Sequence, residues 1–260
     1  MTTSEYVNKI TQGDCLEVMR ELDDKSVDMV LCDLPYGTTA CKWDAVIPFD
    51  LLWEQYERII KDGGAIVLTA AQPFTTKLIS SNFEMFKYEL IWNKLQGTGF
   101  TLSKIRPLMS HENILIFGKG KVTYNPQMTK REKPLNTKNW KMDKLNSENG
   151  NFSSKSGKET KKVYTEKFPL SVIEYHKSAK ECNNTKRVHP TQKPLDLFEY
   201  LINTYSNEGE TVLDNCLGSG TTAVAAINTG RNFIGIERET EYVEIGNQRI
   251  EKALADKAGA

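Results

Sequence analysis

Short apolar runs recur along the chain, and stretches with helical spacing separate them. Residues 27–32 read as a buried strand, and residues 49–60 carry apolar side chains at helical spacing until Lys61-Asp62-Gly63-Gly64 stops them. Residues 65–68, 88–92 and 113–117 are three more runs of strand length. After a long interval the rhythm returns, with a helix over 195–205, a strand over 211–214, a helix over 221–229, a strand over 233–237 and a helix over 242–254. Apolar runs without polar alternation suit strands covered on both faces. Strands that alternate with helices imply an α/β fold with a mostly parallel, doubly wound sheet and helices on both faces. A chain of 260 residues has room for one such domain carrying an insertion.

The interruption, residues 119–187, is rich in Lys, Asn, Ser, Thr and Gly. Formal net charge over the whole chain is zero, yet residues 121–187 hold 16 Lys and Arg against 7 Asp and Glu. That asymmetry marks either a nucleic-acid footprint or a solvated insertion. One domain split in sequence accounts for the pattern: 1–118, an inserted basic region 119–187, and 188–260. No stretch approaches the roughly 18 apolar residues of a membrane span, and residues 1–7 lack a signal-peptide apolar segment, so the expected location is the cytoplasm. The five cysteines have no CxxC spacing, which argues against a metal or disulfide framework, and Cys32 and Cys216 read as small buried hydrophobes.

Two constellations carry chemistry. The segment 213–222 (Leu-Asp-Asn-Cys-Leu-Gly-Ser-Gly-Thr-Thr) is a strand, a glycine turn and a helix start. Gly218 and Gly220 permit close backbone approach to a ligand, and the helix that opens at Thr221 offers unpaired N–H groups. Glu237 ends the next strand, where a carboxylate can bond the two hydroxyls of a ribose. Together they ask for a nucleoside-bearing cofactor. The dinucleotide fingerprint GxGxxG is incomplete, and a lone GxG also occurs in purely structural turns.

The second constellation is Asp33-Leu34-Pro35-Tyr36, directly after a buried strand. Pro35 biases Leu34 toward an extended backbone, which makes the Asp33 side chain and the Leu34 carbonyl neighbouring acceptors. Two such acceptors can hold both hydrogens of an aromatic amine, and Tyr36 offers a stacking face. Taken alone, the four residues read sooner as a turn with a capping Asp and a packed Tyr than as an active site. His111 and Glu112, just before the 113–117 strand, read either as a pair near that site or as a packed, hydrogen-bonded pair.

Asp33-Leu34-Pro35-Tyr36, His189-Pro190-Thr191-Gln192-Lys193-Pro194 and the 214–222 loop together resemble the amino-methylating DNA methyltransferases, the N6-adenine and N4-cytosine family. Their order, with the tetrapeptide first, the basic region second and the glycine loop last, resembles the circularly permuted β class. The resemblance implies a Rossmann-like methyltransferase fold and S-adenosylmethionine as cofactor. It implies double-stranded DNA as partner, a flipped adenine as target, no membrane, and a homodimer as a candidate assembly, in a restriction–modification setting. Asp33, Leu34, Pro35 and Tyr36 would bind the target amine and stack on its base. Asp14, Asp33, Thr191, Lys193, Asp214, Gly218, Gly220, Thr221 and Glu237 would surround the cofactor: Asp14 near its adenine, Thr191 and Lys193 at its carboxylate, Glu237 at its ribose. Residues 119–187 would read the DNA. Leu34 stands where the family commonly has Pro, and Asn215-Cys216 where it has Pro-Phe. An N4-cytosine enzyme commonly carries Ser at the first tetrapeptide position, so Asp33 favours adenine. An RNA or protein methyltransferase, a catalytically dead DNA-binding module and a nucleotide-dependent oxidoreductase are the competing readings.

Overall fold

In the structure, a computed structural model, the described residues are 2–37, 44–139, 160–176 and 192–259. The first stretch of chain forms β1 (Lys9–Gln12), α1 (Cys15–Arg20), β2 (Val27–Cys32), α2 (Phe49–Ile59), β3 (Ile60–Ala70), α3 (Phe74–Ser81), β4 (Phe86–Thr98) and β5 (Met109–Phe117). Then come β6 (Thr129–Asn139), β7 (Thr160–Lys167) and β8 (Val172–Glu174). The last stretch is α4 (Leu195–Tyr205), β9 (Thr211–Asp214), α5 (Thr221–Asn228), β10 (Asn232–Glu237) and α6 (Thr240–Ala258).

Two compact units divide these elements: residues 1–125 with 171–260, and residues 126–170. The larger unit holds an eight-stranded sheet in the order β1-β10-β9-β2-β3-β5-β4-β8. The run from β1 to β3 is parallel, β5 is antiparallel to both β3 and β4, and β8 pairs parallel with β4. The fold is therefore the mostly parallel, doubly wound α/β class expected from the alternating runs. In the smaller unit, β6 and β7 form an antiparallel hairpin with Lys130 opposite Glu166.

Burial explains why the central strands read as unbroken apolar runs. One cluster, with Met29, Leu31, Val67, Leu201 and Ala225, covers one face of the sheet. The other, with Val30, Cys32, Leu52, Tyr56 and Leu68, covers the opposite face. Alternate residues of β2 enter alternate clusters, as the two-residue period of a strand requires.

The 61–64 segment departs from expectation. α2 ends at Ile59, and Ile60 already belongs to β3, so Lys61-Asp62-Gly63-Gly64 lies inside a strand. The register jumps there, from Val27 opposite Ile60 to Met29 opposite Ala65. Gly63 has φ +81°, and a side chain on Gly64 would meet the Asp28 carbonyl at 2.7 Å. The helix does stop just before them, but the glycines then absorb an irregularity inside the strand that follows at once.

Candidate active site

The carboxyl ends of five strands converge on one edge of the larger unit's sheet. Asp14 follows β1, Asp33 follows β2, Thr69 lies near the end of β3, and Asp214 and Glu237 end β9 and β10. Successive strands run outward from β2 in one direction and from β9 in the other, so β2 and β9 mark the point where the strand order reverses. Such a reversal leaves a crevice outside the strand ends. Here a cavity of about 360 Å³ fills it, within the size range of small-ligand sites.

Asp14, Asp33, Leu34, Pro35, Tyr36, Lys193, Asp214, Gly218, Thr221 and Glu237 all line this cavity. Gly220 does not. Its φ of +86° starts α5, and a side chain there would meet the Gly246 backbone of α6 at 3.1 Å, so its role is helix packing. Thr191, with His189 and Pro190 of the same string, lies outside the described residues, as do Cys41 and Cys182.

At the tetrapeptide, Asp33 is held from both sides. Its Oδ1 accepts hydrogen bonds from the Tyr36 hydroxyl at 2.8 Å and from the Thr69 hydroxyl. Its Oδ2 accepts from Lys193 Nζ at 2.6 Å. The ammonium expected at a cofactor carboxylate thus pairs with Asp33, and with Glu112 at 3.4 Å. Lys94, itself buried, reaches the other Glu112 oxygen at 3.3 Å. Carboxylates and ammoniums therefore alternate from Asp33 through Lys193 and Glu112 to Lys94. Burial works against the Lys193 charge, but Asp33 and Glu112 outweigh it and hold its pKa above the ordinary lysine value. The Tyr36 ring stacks on Phe74, with centroids 5.0 Å apart, and Lys193 Nζ stands 5.7 Å from its centroid.

His111 and Glu112 part company. Neighbouring residues of a strand face opposite sides, so Glu112 enters the cavity lining while His111 is exposed. Sequence reasoning missed Thr69 and Lys94. The first is the lone hydroxyl in an apolar run, and the second continues the inward alternation of Leu90 and Trp92 in β4.

The opposite end of the cavity is built from the glycine loop. Asp214 is buried; its Oδ2 accepts from the Thr222 hydroxyl at 2.5 Å and its Oδ1 from Cys216 N–H at 3.0 Å. Burial nevertheless pushes its pKa up to about 6. Glu237 accepts from Gly218 N–H at 2.7 Å and from Glu239 N–H at 2.8 Å, which ties the loop to the end of β10. Gly218 has φ +53° and no atom within 4 Å of where a side chain would begin, so the backbone is bare toward the cavity. Asp14 caps α1 by accepting from Leu16 N–H at 2.9 Å. Cys216, standing where an aromatic was expected, interacts with Cys15 and Cys32; burial pushes the Cys32 thiol up to about 12.

The charge of the lining selects among ligands. Asp14, Asp33, Asp44, Glu112, Asp214, Glu237 and Glu239 face the cavity, and among the described residues Lys193 and Arg238 are the cations there. A pyrophosphate would meet repulsion, whereas a cationic nucleoside would offset the cost of burying Asp214. The bare Gly218 backbone and the strand-terminal Glu237 fit a nucleoside carrying a positive tail.

The model of the DNA methylase family, N6_N4_Mtase, matches residues 27–248. The chain is 31% identical over 258 residues to the Type II methyltransferase M1.MboII of Moraxella bovis, a match covering 93% of this chain and 95% of that protein. It is 27% identical over 275 residues to the DNA adenine methyltransferase YhdJ of Escherichia coli (strain K12), covering 94% and 83% respectively. Among solved structures, the M1.HpyAVI–SAM complex has a similar fold, with a TM-score of 0.63 at 24% identity over 96% of this chain and 99% of that one.

Proposed function

The chain belongs to the DNA methylase family of N6 and N4 methyltransferases, and from that premise we propose that it methylates the N6 of a flipped adenine in double-stranded DNA. S-adenosylmethionine is the methyl donor. The observation that carries this reading is the meeting of Asp33-Leu34-Pro35-Tyr36 and the Asp214–Thr222 loop in one acidic cavity at the strand-order reversal.

Glu237 would hold the donor's ribose, Gly218 its backbone approach, and Asp214 its ammonium. When bound, the donor supplies a methyl carbon on a positive sulfonium, open to direct displacement by nitrogen. Asp33 and the Leu34 carbonyl accept the two N–H groups of the amine and aim its lone pair; as the N–C bond forms and the S–C bond breaks, the nitrogen sheds one proton along its hydrogen bond to the Asp33 carboxylate. Tyr36 and Thr69 fix Asp33 Oδ1, so Oδ2, now shared with Lys193, is the oxygen that receives the base. Tyr36, backed by Phe74, is the platform on which the base stacks, worth about 1–3 kcal/mol. Positioning and fixed charge carry the rate, and no covalent enzyme intermediate forms. The inserted basic region reads the DNA site. The cytoplasm is the expected compartment, and a homodimer is a candidate assembly.

Replacing Asp33 with Ala is expected to cut transfer of a tritiated methyl group to DNA by at least about a hundredfold, the scale of losing a fixed electrostatic contact, while the cofactor still raises the melting temperature. Near wild-type turnover would overturn the assignment. Digestion of the product and mass detection of the nucleoside identify the base, and N4-methylcytosine would move the reading to the other branch of the family.

A further inference from the structure

We propose that the tip of the β4–β5 hairpin, residues 95–108, enters the duplex beside the target and occupies the gap the flipped base leaves. Phe100 and Ile105 are the inserting side chains, and Lys104 and Arg106 lie on the flanking phosphates. This rests on the DNA-methylating reading above.

The tip is apolar where it has no reason to be. Phe100 is 80% exposed and Ile105 81% exposed, and Leu95, Leu102 and Leu108 are exposed beside them. Scattered surface hydrophobics are ordinary, but five within 14 residues of one hairpin tip are a concentration of the kind found at interaction sites.

The patch is also held in shape. Gly99, at φ +83°, starts one 3₁₀ turn over Phe100–Leu102. Leu102 N–H donates to the Gly99 carbonyl, Ser103 N–H to Phe100, and both Ile105 and Arg106 N–H to Leu102. At the neck, Gly97 lies so close to Leu108 that a side chain on it would meet Leu108 at 2.8 Å.

Position and charge name the occupant. Ala70, near the carboxyl end of β3, pairs with Asn113, so β5 residues before Asn113 project past the edge that carries Asp33. Glu112 and Trp92 pair with each other and line the cavity, and the pairing of Thr98 with Met109 lies three residues farther out, about 10 Å at strand rise. Residues 95–110 contain no Asp or Glu. Lys104 and Arg106 are exposed, with no ion pair to any described residue. A basic, apolar, pre-shaped tip beyond the catalytic cavity suits a polyanion whose stacked bases must be parted, since apolar wedges compensate for unstacking.

The test is single-turnover methylation by the F100A/I105A variant on two duplexes bearing the mapped site. In one the target adenine is paired; in the other it faces an abasic position. The variant is expected to lose about tenfold or more on the paired duplex and to stay within about twofold of wild type on the other, where the opening is already made. Its melting-temperature shift with S-adenosylmethionine should match wild type, which shows that the fold is intact. Equal loss on both duplexes, or no loss on either, overturns the proposal. So does a fall in self-association by sedimentation with an unchanged ratio, which would make the tip an interface between copies. A wild-type protein that methylates no DNA refutes the functional reading and this inference together, whereas an active wild type with an unmoved ratio refutes the tip alone.

Discussion

Asp33 meets three donors, and only Lys193 can be exchanged without dismantling the turn, because Tyr36 belongs to that turn and Thr69 to the neighbouring strand β3. Base entry therefore trades one positive partner for an amine, and Glu112 is placed to keep Lys193 nearby while this happens. Asp214 carries a separate cost. Its pKa of about 6 lies above the ordinary 3.8, so the folded protein binds a proton that the unfolded chain releases between about pH 4 and 6. The stability it contributes is present below that window and lost as pH rises through it. Between pH 5 and pH 7 the wild type should lose about 1 kcal/mol more unfolding free energy than Asp214→Asn, a difference that urea titrations at the two pH values would detect. Parallel losses would mean that the carboxylate is not the titrating group. Of these residues, Asp33, Tyr36, Asp214 and Glu237 were legible because each sits where a strand ends. The partner of Lys193 was not, since a separation of 160 positions from Asp33 says nothing about distance in space.

Within elements, the two glycines of the cofactor loop separate cleanly. Both have positive φ, but only Gly220 abuts another backbone, that of α6. Gly220→Ala is expected to cost about 2–3 kcal/mol, combining left-handed strain with displacement of α6. Gly218→Ala should cost about 1 kcal/mol of stability and act mainly by weakening cofactor binding. Chemical denaturation together with cofactor titration of both variants distinguishes the two effects; equal stability losses would refute the division. The central strands and α4 were readable because burial on both faces, or along one helical stripe, leaves a periodic trace. The helices α1 and α3, six and eight residues long, are too short to leave one. The β6–β7 hairpin was hidden for the opposite reason, since its described strand residues are charged and largely exposed, so alternation gives no inward face to read.

Across the whole molecule, the site exists only where two distant parts of the chain meet. Met29 pairs with Val212 and Val30 with Leu213 at the centre of the sheet, while Asp33 comes from the first part and Asp214 from the last. Residues 1–150 and 151–260, expressed as separate chains, should be inactive alone and regain methylation when produced together, as scored by protection of host DNA from a methylation-sensitive nuclease. Activity in either piece by itself would refute the shared site. The same pairing sets a schedule during synthesis. The ribosome emits about 5–20 residues per second, so β2 waits roughly 10–40 s for the strand that will cover its edge. For that interval the nascent protein holds an apolar strand with one edge of backbone N–H and C=O groups unpaired, open to chaperones or to the neighbouring chain on the same message, and it cannot mark a single base until β9 and β10 have emerged.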